Sequence, residues 1–325
     1  MDALQSIRRP IDSEMNRYKE VFDSYLTHTN PILREVFSAL RQREGKMMRP
    51  MLTLLAAKAA GGAVNESSIY TAATFEFFHT ASLIHDDVVD ESEKRRGEES
   101  VNNAYGNQVA VLVGDFILAN SLFCAAKTQN TRLVEIVSAA AQRLASGEIL
   151  QLNNVQNAQI GEEVYFDIIC NKTAALFAAC AEGGALSTST DEMVISALRS
   201  FGEYVGICFQ IRDDIFDYSN DASIGKPTGN DMKEGKLTLP LIHALLATGN
   251  EEMYALARKV KAHTVTPEEV DTLVRFTKES GGIDYALQVM AEYADKAKAL
   301  LSCFPDSDVK QALISYVDYA IARSI

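Results

Sequence analysis

Prolines are scarce in this chain, seven in 325 residues, and most fall where a helix would start or stop. Strand-like alternation and tight hairpin turns are nearly absent as well, which excludes a β-rich fold. The five cysteines, Cys124, Cys170, Cys180, Cys208 and Cys303, are scattered and form no C-x-x-C. An odd, unclustered set inside apolar runs reads as buried thiols in a reducing compartment. Positive charge is in deficit: 31 Lys and Arg stand against 44 Asp and Glu, a net charge of −13. That excludes nucleic acid as the main partner, which needs a basic face, and an anionic substrate would need positive charge concentrated locally. The chain offers no Ser-His-Asp arrangement and no reactive-Cys motif, so covalent catalysis by a protein nucleophile is not expected. Met1-Asp2-Ala3-Leu4-Gln5 is polar and lacks a signal-peptide core. No apolar stretch reads as long enough and charge-free enough to span a bilayer. The expectation is a cytoplasmic protein, with a peripheral membrane contact left open.

What is present is helical. Hydrophobic residues make up 47% of the chain, enough to bury a sizeable core. Segments around 66–90, 133–158, 162–182 and 192–218 are apolar on more than one face, as expected of helices inside a large bundle. Thr266-Pro267-Glu268-Glu269 reads as a helix start, with Thr as the cap, Pro at the first helical position and Glu three residues after the cap. Thr248-Gly249-Asn250 ends the helix before it, and Gly61-Gly62, Gly183-Gly184 and Gly281-Gly282 are read as further stops. No linker, low-complexity tract or heptad array interrupts the pattern. The expected architecture is one all-α domain over residues 1–325.

Two clusters of the form D-D-x-x-D stand out: Asp86-Asp87-Val88-Val89-Asp90 and Asp213-Asp214-Ile215-Phe216-Asp217. Each lies in an apolar segment, where carboxylates are costly unless they pair or bind a metal. Residues four apart share a helix face, so Asp86 pairs with Asp90 and Asp213 with Asp217. Such pairs suit Mg²⁺, which takes one or two carboxylates together with water and substrate phosphate. The two motifs read as two walls of one cavity. His79 lies seven residues before Asp86, about 20° away around a helix. Alone it reads equally as a core histidine on a backbone carbonyl; its alignment with the aspartates favours a ligand-facing role. Gln210, Asp213 and Asp217 share a face in the same way.

Basic residues cluster near both motifs. Glu93-Lys94-Arg95-Arg96-Gly97 follows the first, and arginine pairs grip phosphate through two bonds, although such a run is also the usual composition of a solvated turn. Lys46 and Arg49, in Gly45-Lys46-Met47-Met48-Arg49-Pro50, share a face if that segment is helical. Lys172, in Asn171-Lys172-Thr173, sits in apolar surroundings and must snorkel or meet an anion. After the second motif come Gly225-Lys226-Pro227 and Gly235-Lys236-Leu237. Gly229 to Lys236 falls short of a P-loop, with one residue too many and no Ser or Thr after the lysine. These lysines read as a charged lid over a diphosphate, or in part as a plain polar loop.

In combination these motifs closely resemble the all-trans polyprenyl diphosphate synthases of the isoprenoid synthase fold, over most of the chain and most densely from Gly45 to Gly97 and from Lys172 to Pro240. The resemblance implies a single large helical bundle with a central cavity, a homodimer, and several Mg²⁺ ions per site. It implies that Lys46, Arg49, His79 and Arg96 meet isopentenyl diphosphate. Arg95, Lys172, Thr173, Gln210, Lys226 and Lys236 would meet the allylic diphosphate. Asp86, Asp90 and Asp213 would ligate Mg²⁺, with Asp87, Asp214 and Asp217 acting through water or hydrogen bonds. In such enzymes the residues just before the first motif line the bottom of the growing-chain pocket. Here they are Ala81 and Ser82, both small, which implies an open tunnel and a long product of the respiratory-quinone class, grown from a farnesyl or geranylgeranyl primer. Phe77 and Phe78 lie a turn earlier, and Phe78 is placed to form a floor, so a shorter product stays open.

Other classes fit less of the sequence. His85-Asp86 forms the HD pair of metal phosphohydrolases, but those need further histidines and the chain has only five. Glu76-x-x-His79 matches half of a di-iron bundle's ligand pattern, with no second Glu-x-x-His. A terpene cyclase would not need Lys46 and Arg49, and a non-catalytic synthase subunit would be expected to lack some of the aspartates or basic residues present here.

Overall fold

The computed structural model describes residues 3–42, 45–95, 97–156, 160–219 and 228–322. Arg96 and Lys226 therefore lie outside the described residues. The helices are α1 (Ala3–Arg8), α2 (Asp12–Tyr25), α3 (Pro31–Gln42), α4 (Met48–Gly61), α5 (Glu66–Val89), α6 (Val101–Tyr105), α7 (Asn107–Lys127), α8 (Thr131–Gln156) and α9 (Glu162–Ile169). They continue as α10 (Ala175–Leu186), α11 (Glu192–Phe216), α12 (Asn230–Lys233), α13 (Leu239–Thr248), α14 (Glu251–Lys261), α15 (Pro267–Glu279), α16 (Gly282–Leu300) and α17 (Asp308–Ala322). The sheet among the described residues is a two-residue hairpin, β1 (Lys94–Arg95) against β2 (Glu98–Glu99). The all-α expectation holds, and the four apolar segments became α5, α8, α9 with α10, and α11.

Two compact units divide the chain. The first comprises residues 1–139, 179–199 and 304–315. Its core joins α2, α4, α5 and α7. Phe77 of α5 stacks on Phe22 of α2 with ring centroids 4.3 Å apart, and the Ser121 hydroxyl of α7 donates to the Thr74 carbonyl of α5 at 2.9 Å. An Asn65 cap starts α5, its side chain accepting the Ser68 N–H at 2.9 Å. Gly183 and Gly184 do not stop a helix. They lie inside α10, where a Cβ at Gly183 would meet the Phe75 ring at 2.7 Å and one at Gly184 would run into the Thr53 carbonyl. Gly184 allows close approach of two backbones and Gly183 makes room for the Phe75 ring, uses that sequence alone does not separate from a stop.

The second unit comprises residues 140–178, 200–303 and 316–325. Part of its core forms where α12 to α15 bury Met232, Leu241, Leu245, Met253, Ala257, Val260, Val270 and Leu273. The remaining stop and start signals hold: Thr266 makes a reciprocal capping box with Glu269, and Gly249 ends α13 in the left-handed region at φ 62°. One local irregularity matters for the site. Between α9 and α10 the residues Cys170–Ala174 form a π-helical turn. Arg143 of α8 braces it, donating to the Asn171 side chain at 2.9 Å and to the Cys170 carbonyl at 3.1 Å. Such turns widen the helix by one residue and recur at functional sites.

Two sequence expectations need correction. Two helical stretches, Asn107–Lys127 and Glu162–Leu186, are long and apolar enough to cross a membrane by length and composition, contrary to the reading that none is. About half of each is buried in the fold (44% and 56%), which is how the core helix of a globular unit passes the same test. The cysteines are not all buried either. Cys124, Cys180 and Cys208 are, and burial pushes each thiol up to about 12. Cys170 is half-buried and Cys303 is exposed.

Candidate active site

The first motif occupies the last turn of α5. Asp86 is partly exposed, Asp90 is exposed and caps the helix, and Asp87 between them is 4% exposed. The buried carboxylate is neutralised by Arg95 of β1. Arg95 Nε donates to Asp87 Oδ1 at 2.8 Å, and a second guanidinium nitrogen donates to the same oxygen. The hairpin exists where it does because the Ser100 hydroxyl and the Asn102 side chain both donate to the Ser92 carbonyl, at 2.6 and 3.1 Å. Arg95, expected on a diphosphate, thus has a carboxylate as its immediate partner.

His79 is half-buried two turns before Asp86. Lys46 and Arg49 do not share a helix face. Lys46 precedes α4 in an exposed turn, Met47 sits at φ 51°, and Arg49 is in the first turn of α4. The conditional helix reading of Gly45 to Pro50 fails because the chain must reverse into its left-handed residue before α4 can begin. His85 points away from any pairing with Asp86: its Nε2 lies 3.2 Å from the Val111 carbonyl and 3.5 Å from Asp115 of α7. The HD pair of a phosphohydrolase is therefore not assembled here.

Of the expected length-setting residues, Phe77 is fully buried, stacked on Phe22 and edge-on to Tyr25 at 6.0 Å. Its ring is used to hold α2 on α5. Phe78 and Ala81 are 5% and 1% exposed, and the Ser82 hydroxyl returns to the His79 carbonyl at 2.9 Å.

The second motif ends α11. Asp213 and Asp217 are partly exposed, and Asp214 is 3% exposed. Neutral donors satisfy Asp214: the Tyr165 hydroxyl donates to Oδ2 at 2.5 Å and Gln210 Nε2 to Oδ1 at 2.9 Å. Burial, then the nearby Asp231 and Asp213 charges, hold the Asp214 carboxyl well above the usual carboxylate range. Gln210 turns to Asp214 rather than along the Asp213–Asp217 stripe, because its carbonyl oxygen also accepts the Thr173 hydroxyl at 2.7 Å. Asp217 accepts the backbone N–H groups of Asn230 and Asp231 at 2.7 and 3.2 Å, and so fixes the start of α12.

Lys172, on the π-helical turn, pairs with Glu148 of α8 at 2.5 Å and donates to the Gln151 side-chain oxygen Oε1 at 3.3 Å. Of the two outcomes left open for this lysine, solvent or an anion, its partner here is a carboxylate. Lys236 pairs with Glu234 at 2.6 Å. A cavity of about 150 Å³ opens among these groups, lined by Lys172, Thr173, Gln210, Asp214 and Lys236, and also by Tyr165, Asp231 and Lys261. The last three, with Glu148, are residues that the motif reading did not single out. Tyr165 carried a usable signal, a tyrosine in an apolar run seven residues before Lys172. Lys261 carried none, since Arg258-Lys259-Val260-Lys261 reads as the ordinary basic last turn of a helix.

Among the described residues no three His, Cys, Asp or Glu side chains converge to hold a metal by themselves. The donor set still fits Mg²⁺. Each motif ends a helix with two partly or fully exposed carboxylates one turn apart, oxygen donors only, and a hard cation of this kind is completed by water and substrate phosphate.

An all-α fold with paired helix-end carboxylates and a lysine-lined cavity defines a diphosphate-handling enzyme of the isoprenoid synthase fold. The comparisons agree. The polyprenyl synthetase family model matches residues 30–276. Octaprenyl diphosphate synthase of Haemophilus influenzae is 36% identical over 99% of this chain and 98% of its own. The crystal structure of geranylgeranyl pyrophosphate synthase from Bacteroides thetaiotaomicron is 46% identical, with TM-score 0.88, covering 99% of this chain and all of the other. That of a polyprenyl synthase from Caulobacter crescentus, complexed with calcium and isoprenyl diphosphate, is 35% identical with TM-score 0.92, covering 98% of each chain. The chain belongs to the polyprenyl synthetase family and is a trans-prenyltransferase. Mg²⁺ dependence is general to that family.

Proposed function

We propose that this enzyme condenses isopentenyl diphosphate head-to-tail with an allylic diphosphate, a farnesyl or geranylgeranyl primer, and repeats the step to a long all-trans polyprenyl diphosphate of quinone side-chain length. The length reading rests on Ala81, a small, 1% exposed residue just before the first motif, the position that lines the growing-chain pocket in the enzymes this chain resembles. The octaprenyl relative supports the same reading. A shorter, geranylgeranyl product is the second reading, favoured by the 46% identical solved structure that carries that name.

In this reading Asp86, Asp90 and Asp213 hold Mg²⁺, several ions per site. When bound, Mg²⁺ supplies Lewis-acid neutralisation of the leaving diphosphate. Lys172, Thr173, Gln210 and Lys236, with Lys226 and Arg95, bind and orient the allylic diphosphate, while Lys46, Arg49, His79 and Arg96 hold the isopentenyl one. The ammonium groups take up negative charge as the allylic C–O bond breaks. The isopentenyl double bond then attacks the allylic cation, and a proton leaves to the released diphosphate. Asp87, Asp214 and Asp217 act through the hydrogen bonds described above, which fix the helix ends carrying the ligands. The apolar packing of α5 and α11 around each motif keeps water from quenching the cation.

We assign the whole chain to one domain, because four of the five boundaries between the compact units fall inside helices, in α8, α10, α11 and α17. A homodimer is supported by Leu112, Leu122 and Phe123 of α7, which stand 67%, 52% and 62% exposed. A peripheral membrane contact would suit release of so apolar a product.

The test is direct. The protein is incubated with Mg²⁺, labelled isopentenyl diphosphate and a farnesyl primer, and the dephosphorylated products are sized by chromatography. Products of about eight isoprene units are expected, and Ala81→Phe should shorten them. A wild-type product that stops at four units would establish the second reading, and unchanged length in the variant would remove Ala81 from length control.

A further inference from the structure

Arg143 of α8 lies outside the motifs, yet its bonds converge behind the π-helical turn that carries Lys172 and Thr173. Its Nε donates to the Asn171 side-chain oxygen at 2.9 Å. One terminal nitrogen donates both to the Cys170 carbonyl at 3.1 Å and to Glu203 of α11 at 3.3 Å. Asn171 passes the connection on, its side-chain nitrogen donating to the Asp167 carbonyl at 2.8 Å. The Cys170 carbonyl also takes the Ala175 N–H, five residues on, where an α-helix would use the fourth. Side chains that enter the hydrogen-bond ladder are one of the few causes of such a departure. Gly147, one turn after Arg143, lets α8 come this close: a Cβ there would meet the Asn171 Cβ at 2.9 Å and the Lys172 nitrogen at 3.0 Å. What the turn presents is Lys172, paired with Glu148, and Thr173, whose hydroxyl donates to Gln210 at 2.7 Å. A register change of one residue rotates a helical side chain by about 100°, so both would leave these partners if the turn relaxed to an α-helix.

We propose that Arg143 is a further positioning residue for the allylic diphosphate: acting through Asn171, it holds the π register that aims Lys172 and Thr173. The inference rests on the prenyl-transfer reading and extends it to a residue outside the motifs. Arg143 works from behind the turn, and Lys172 and Thr173 make the contact with substrate. A guanidinium suits this role better than an ammonium, because one planar fork serves three acceptors on two elements. Its bond to Glu203 ties the turn to α11, which also carries Gln210 and the second motif.

Arg143→Lys and Asn171→Ala test this. The lysine keeps the charge opposite Glu203 and loses the fork to Asn171 and Cys170, so it also serves if the alanine variant misfolds. Isothermal calorimetry of inorganic diphosphate with Mg²⁺ reads the diphosphate site without turnover. Affinity about tenfold weaker is expected in each variant, the value of one misaimed hydrogen bond to a charged group. In steady state the KM for the farnesyl primer should rise by a similar factor while that for isopentenyl diphosphate stays put. The double variant should be no weaker than the weaker single one, because both changes break the same link. A purely structural brace predicts a lower melting temperature with unchanged diphosphate affinity, and that result for Arg143→Lys overturns the assignment. So does an equal rise in both KM values, or a double variant about a hundredfold weaker, the product of two independent losses. A wild-type protein that binds inorganic diphosphate but adds no isopentenyl unit would count against the reaction alone, and the calorimetric comparison would still decide Arg143.

Discussion

Asp87 and Asp214 hold the same place in their motifs and are buried alike, at 4% and 3% exposure, yet the fold neutralises them by opposite means. Asp87 has a full counter-charge, the Arg95 guanidinium. Asp214 has neutral donors, Tyr165 and Gln210, with a second carboxylate nearby, and its carboxyl is held well above the usual range. A buried carboxyl needs a counter-charge or hydrogen-bond donors, and the two motifs take one each, a guanidinium at Asp87 and a hydroxyl with an amide at Asp214. Identical sequence patterns therefore do not imply identical electrostatics. What they share is a buried middle aspartate between outer ones that are at least partly exposed, of which Asp217 also holds the start of α12.

The largest effect should come from the outer positions. Asp86→Ala and Asp213→Ala each remove a carboxylate that the reading gives to Mg²⁺, and isopentenyl incorporation should fall on the order of 10²–10³-fold or more. Their thermal melts should move little, because both side chains are partly exposed. Near-normal turnover with Mg²⁺ in either variant would break the symmetry between the motifs and remove that residue from the metal site.

Stability should show the opposite ranking. Arg95→Leu leaves Asp87 as a buried charge without its counter-ion, and removing one partner of a buried pair costs about 3–5 kcal/mol. Arg95 is itself about one-third exposed (35%), so water can relieve some of this and about 2–3 kcal/mol is the expected loss in urea unfolding. Adding Asp87→Asn should restore most of it, because the double variant buries no charge. An additive double variant would show that the guanidinium supports the hairpin and not the carboxylate.

Much of this was legible in advance. The helices and the Thr266 capping box follow from patterning, and the cost of a buried charge narrowed Lys172 to solvent or an anion, of which it takes the anion. What escaped depends on distance in three dimensions. Gly183 and Gly184 look like a stop and are a packing contact, since nothing in the sequence says that Phe75 and the Thr53 carbonyl lie against them. Lys46 and Arg49 have helical spacing, but the left-handed Met47 separates them. Lys261 looks like an ordinary terminal lysine until the cavity beside it is seen. Charge, period and cap chemistry are local and can be read from a chain. Which side chain closes a cavity is decided by residues a hundred positions away, as Asn154 is from Lys261.

The smallest effect belongs to the second motif's neutral support. Tyr165→Phe removes the hydroxyl that donates to Asp214 Oδ2 and leaves the ring in place, packed edge-on to Phe166 at 5.3 Å. A neutral donor lost from a buried carboxyl should cost about 1 kcal/mol, less than Arg95→Leu, because a carboxyl whose own burial favours the protonated form loses no counter-charge. Turnover should fall more than stability does, since Asp214 sits between the ligand Asp213 and the α11 turn that leads to Asp217. The comparison is sharp if the two losses are measured in the same urea series. A Tyr165→Phe loss equal to that of Arg95→Leu would mean that Asp214 is buried as a full anion relying on that hydroxyl. The two middle aspartates would then be alike in electrostatics as well as in sequence.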